Sequence, residues 1–174
     1  PSKETPEALA AAFHDPQNWP IFYHALKSVT LYENGKALAA GHPAAPGMTA
    51  LFVIVPVKKE WKRFDIRAEV LTPKPGESLR FRMLEESSGK TTRLVDDFEW
   101  WVGVHPPNAT EARQGNRTVV FGGATAETKT SRARLLGRMG QKILMNQLYQ
   151  IDLVRLANFT ENKKAWGTEI ESPY

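Results

Sequence analysis

The sequence predicts an α+β fold: a curved antiparallel sheet wrapped around one long C-terminal helix. Three observations predict it. Between residues 27 and 130, apolar and polar residues alternate in successive short runs. Hairpin-sized turn signals such as Asn34-Gly35 and Pro73-Lys74-Pro75-Gly76 separate those runs, and hairpin connections make a sheet antiparallel. From residue 132 to 162 the period turns helical, with Leu136, Met139, Ile143, Leu148, Ile151 and Phe159 on one broad stripe. About 30 residues at 1.5 Å each give a helix of roughly 45 Å.

The elements follow in order. Thr5-Pro6-Glu7 opens a first helix: a Thr cap, Pro at the first helical position and an acid in the first turn. Residues 8–13 continue it and Asp15-Pro16 stops it. Asn18-Trp19-Pro20 begins a second short helix or turn carrying Ile21, Phe22 and Tyr23. Val29 and Leu31 mark a strand ending at Asn34-Gly35, and residues 36–41 read as its return. Residues 42–47 are a Pro/Gly/Ala loop, and 48–57 form an apolar, β-branched strand. Phe64, Ile66, Ala68 and Val70 share one face of the next strand, and Leu79, Phe81 and Met83 one face of the strand after it. Residues 87–90 turn the chain. Leu94, Asp96, Phe98, Trp100, Val102 and Val104 then share a face, 106–116 is a polar loop, and 117–129 is the last strand.

Composition narrows the function. At 174 residues the chain suits one domain, read here as spanning 1–174. No run approaches the ~20 apolar residues of a membrane span. The absence of cysteine excludes disulfides, thiolate metal sites and cysteine nucleophiles. The net charge of +4 permits contact with anionic lipid or nucleic acid without arguing for it, so no nucleic acid is expected and membrane contact is at most transient. No signal or transit peptide is visible at Pro1, and the default expectation is the cytoplasm. Oligomeric state stays open.

Motif signals are weak. Ser87-Ser88-Gly89-Lys90 matches S-x-x-K but sits in a turn, and Gly137-Arg138-Met139-Gly140 matches G-x-x-G inside a helical pattern. Three N-x-[ST] triplets, at Asn108, Asn116 and Asn158, are common by chance. The histidines His14, His24, His42 and His105 lack metal-motif spacing, so no metal and no cofactor is expected.

The corner Asp15-Pro16-Gln17-Asn18-Trp19-Pro20 resembles the D-P-x-x-W-P corner of the START-like superfamily. That superfamily shares a helix-grip fold among polyketide cyclases, lipid-transfer domains and plant Bet v 1-type proteins. The run of strands and the long final helix agree. The resemblance implies a cavity between sheet and helix that holds a small hydrophobic molecule. In the family a strand precedes the first helix; here Pro1 falls where it would end, so that strand either lies upstream of Pro1 or is lost, and its loss would leave a sheet edge open.

Residue chemistry supplies candidates. Phe64, Ile66, Phe81, Met83, Phe98, Trp100 and Val102 are expected to line the cavity from the sheet, with Met139, Ile143 and Leu148 opposite. Asp96 shares the Phe98 and Trp100 face by alternation. A carboxyl facing a cavity would be desolvated and could serve as an acid or base, with His24 or Tyr23 as proton partner at the mouth. The bland alternatives for Asp96 are a strand-end group near the open mouth, or one paired with Arg80, Arg82 or Arg93. Three functions remain: a cyclase or aromatase using those groups, a carrier of lipid or sterol with an apolar pocket, or a protein-interaction module using the cleft.

Overall fold

Thr5 places its Oγ1 3.2 Å from the Ala8 N–H and so caps helix α1, Pro6–His14. The computed structural model describes residues 5–55, 62–87, 95–113, 119–129 and 158. Asp15 ends α1 in an extended conformation and caps a 3-10 helix over Pro16–Ile21. Its Oδ1 accepts from the Gln17 N–H at 3.0 Å and its Oδ2 from Asn18 Nδ2 at 3.1 Å. The Trp19 indole N–H donates to the Phe13 carbonyl at 3.1 Å. These bonds satisfy the polar atoms of a buried corner and leave Phe13, Trp19, Phe22 and Tyr23 free to pack on the sheet.

Seven strands follow: β1 Leu26–Glu33, β2 Lys36–Ala37, β3 Thr49–Ile54, β4 Phe64–Leu71, β5 Leu79–Glu86, β6 Val95–His105 and β7 Val119–Thr128. They lie in the order β2-β1-β3-β4-β5-β6-β7, and every neighbouring pair is antiparallel. The β1–β2 turn puts Asn34 at φ 49° and Gly35 at φ 76°, the paired positive values that a two-residue hairpin needs. The return strand expected over 36–41 is only two residues long. The loop expected over 106–116 contains a short helix, α2, Ala109–Arg113, whose first turn is held by the Thr110 N–H donating to Asn108 Oδ1 at 2.9 Å.

This architecture corrects the expected fold class. Among the described residues the protein is one seven-stranded antiparallel sheet with two short α-helices and the 3-10 corner, not an α+β helix-grip. The sequence reading made the helical stretch 132–162 the cover of the sheet. That stretch lies outside the described residues, and with it Met139, Ile143 and Leu148. Among the described residues the cover is the α1/3-10 corner, packed on the sheet through Trp19 and Tyr23.

The inner face of the sheet carries the core. Ala50, Phe52 and Ile54 of β3, Ile66, Ala68 and Val70 of β4, Phe81 of β5 and Val102 of β6 are all buried. Each large side chain among them contributes about 1.5–3 kcal/mol by leaving water. The register slips between Leu26 and Ser28, between Arg67 and Ala68, and between Asp96 and Glu99. Such bulges bend a strand and re-aim its side chains.

The opposite face of β5 and β6 holds a charged cluster. Arg80 grips Glu77 with two bonds, at 2.9 and 2.7 Å, and reaches Glu99 with a third. Arg82 also donates to Glu99, at 2.8 and 3.2 Å. The Arg80 guanidinium lies 4.6 Å over the Trp101 ring. The Arg80 hydrogen bonds hold the Glu77 carboxyl below its usual range. Burial pushes Glu99 up, but the bonds from Arg82 and Arg80 outweigh it and hold that carboxyl low too. Among the described residues no helix is long and apolar enough to cross a membrane.

Candidate ligand pocket

Alternation along β6 sends Phe98, Trp100 and Val102 to the inner face and Trp101 to the outer one, as the pairs Phe81↔Trp100 and Arg80↔Trp101 require. The inner three form one wall of a pocket, together with Ala124 of β7, the cross-strand partner of Trp100. Ile66 of β4 and Phe52 and Ile54 of β3 form its floor. Trp19, Tyr23 and Leu26 close it from the corner and from the start of β1. No described lining residue is charged. Trp19 and Tyr23 carry the polar side-chain groups among those described residues, and the Trp19 indole N–H donates to the Phe13 carbonyl.

The cavity measures about 40 Å³. A water needs roughly 10–15 Å³ on such a scale, so there is room for about three. Water needs polar partners, and a wall like this offers few. The aromatic rings interlock. Phe52 meets Trp100 at 5.6 Å and 68°, Phe98 meets Trp100 at 5.7 Å and 39°, and Phe81 stacks under Trp100 at 5.4 Å and 22°. Those contacts fix the Trp100 ring from three sides.

Of the residues expected to line a cavity between sheet and helix, Ile66, Phe98, Trp100 and Val102 lie in the wall of this pocket. Phe81 is fully buried behind the wall, and Phe64 and Met83 pack half-buried against the core beside it. Tyr23 sits in the wall, buried, rather than at a mouth. His24 is exposed outside it. Asp96 is also outside: its side chain is 56% exposed and pairs with Lys129 Nζ at 3.1 Å. The cause is local. Asp97 takes a positive φ of 46° and the register slips between Asp96 and Glu99, so counting back from Phe98 by twos no longer keeps the same face. Arg80 and Arg82, weighed as partners for Asp96, pair with Glu99 instead. Asp96, His24 and Tyr23 are therefore not brought together.

Sequence reasoning missed Trp19, Leu26, Phe52, Ile54 and Ala124. Phe52 and Ile54 were hidden because β3 is apolar on both faces, so no alternation marks the inner one. Ala124 carries almost no side chain, and only its register against Trp100 reveals its place. Among the described residues no group of three or more His, Asp or Glu side chains could hold a metal ion. Compared with protein-family models and with curated proteins, the chain matches none.

Proposed function

We propose that this protein binds a small hydrophobic molecule in the pocket between the inner sheet face and the 3-10 corner, as a carrier or receptor rather than as an acid–base catalyst. One observation carries the reading. The described wall contains no charged side chain, and the two groups best suited to proton transfer, Asp96 and His24, stand outside it. A cyclase of the kind considered above needs an acid or base within hydrogen-bond reach of its substrate. A carrier needs only a dry surface of the right shape. The START-like resemblance of the Asp15–Pro20 corner implies the same kind of ligand and belongs to this proposal.

Native mass spectrometry of the protein purified from its own host tests the reading, with an Ala124→Leu variant alongside. The unmodified protein should carry a co-purifying apolar molecule, and Ala124→Leu, which pushes three carbons into the pocket, should carry less of it. Equal occupancy in both would move the site elsewhere. Empty protein that also ignores apolar probes would remove the ligand-binding reading.

A further inference from the structure

We infer that the pocket selects a single aromatic ring over a saturated ring or an alkyl chain of equal carbon number. This rests on the binding reading above and names its ligand class. Five of the ten described lining residues are aromatic: Trp19, Tyr23, Phe52, Phe98 and Trp100. They are not stacked in parallel. Trp19 meets Phe52 at 43°, Phe52 meets Trp100 at 68° and Phe98 meets Trp100 at 39°. Tilted rings present both faces and edges to the space between them. A guest ring can then meet an edge with its face and a face with its edge, the arrangements that ring quadrupoles favour. An alkyl guest has no quadrupole and gains only contact and burial.

Size points the same way. A space of about 40 Å³ holds about three waters, less than a seven-carbon guest needs, so a guest enters only as the wall yields, and a flat ring asks less of it than a thicker saturated one. A flexible chain must coil to fit and gives up rotamer freedom that a ring never had.

The test uses the full chain with three seven-carbon probes: toluene, methylcyclohexane and heptane. Affinities are read from methyl NMR shifts of Ile54, Ile66 and Val102, all in the wall. Burial alone favours the saturated probes, because they are the more hydrophobic. Contacts with several wall rings together reverse that order, and toluene should bind at least about 2-fold more tightly than methylcyclohexane despite its lower hydrophobicity. Shifts at the same methyls with methylcyclohexane or heptane binding as tightly as toluene, or more tightly, would overturn ring selection and keep apolar binding. No shift at those methyls with any probe at saturation in water would overturn both. The methyl spectrum itself reports that the protein is folded.

Discussion

A β-carbon added at Gly123 would lie 2.5 Å from Trp101 Cζ2 and 2.9 Å from Cε2. Real side chains do not tolerate that distance, so the Trp101 ring lies flat across β7 only because residue 123 has no side chain. Gly123→Ala should destabilise the protein by about 1–3 kcal/mol, the usual cost of overpacking, read as a lower urea midpoint at unchanged slope. In a Trp101→Leu background the same change should cost much less, and equal costs would show that the two residues are not coupled. Asp15 is the second decisive residue. Asp15→Ala removes the cap of the 3-10 helix and leaves buried Asn18 without its acceptor, a loss of about 1–3 kcal/mol in the same assay. This corner was legible in the sequence, because Asp-Pro signals a stop and a cap at once. The fate of Asp96 was not. Its face depends on the positive φ of Asp97, and neither composition nor alternation announces a bulge at an Asp-Asp pair.

At the scale of elements, β5 and β6 are tied on their outer side by Glu77, Arg80, Glu99 and Arg82. The side chains of Arg80 and Glu77 are only 5% and 8% exposed, so removing the cation strands the buried Glu77 carboxylate and leaves Glu99 with Arg82 alone. Arg80→Ala should cost about 3–5 kcal/mol, and Arg80→Ala with Glu77→Gln less, since that stranded charge is gone. The cluster also sets a pH dependence. Both carboxyls have folded-state values below their unfolded ones. Below the ordinary carboxylate value, about 4.3, the unfolded chain therefore binds protons that the folded chain still refuses. The stabilisation is fully present above that value and drains away as pH falls through the lower folded-state values. Thermal melts should show Tm dropping over that acidic window, with a shallower drop in Glu99→Gln; identical slopes would remove Glu99 from the effect. Strands with one polar face, such as β4 and β5, were readable because their alternation is clean. Helix α2 was not, because five residues set off by Pro106 and Pro107 carry no periodic signal, and only the Asn108 cap marks its start.

At the scale of the whole molecule, a tightly interlocked aromatic core borders a small space that it does not fill among the described residues. The antiparallel sheet was legible, since each hairpin announces its neighbour. The fold class was misread because the helical period of 132–162 was taken to supply the sheet's cover, while the corner over residues 15–23 covers it among the described residues. The pocket was half legible: alternation gave the β6 wall, and register alone gave Ala124. That residue offers a test of why the void exists. Enclosed core voids cost about 24 cal/mol per Å³, so filling about 40 Å³ is worth at most roughly 1 kcal/mol. Filling such a space commonly stabilises a natural protein, and where the space holds a ligand the gain comes at the expense of binding. Ala124→Leu places its extra carbons beside Trp100, in that space. In ligand-free protein it should raise stability by up to about 1 kcal/mol, measured by urea unfolding, while the Tm increase produced by an apolar ligand shrinks. If the substitution instead lowers stability by the 1–3 kcal/mol typical of overpacking, the space is already needed by the wall's own side chains, and the pocket is a packing seam rather than a site.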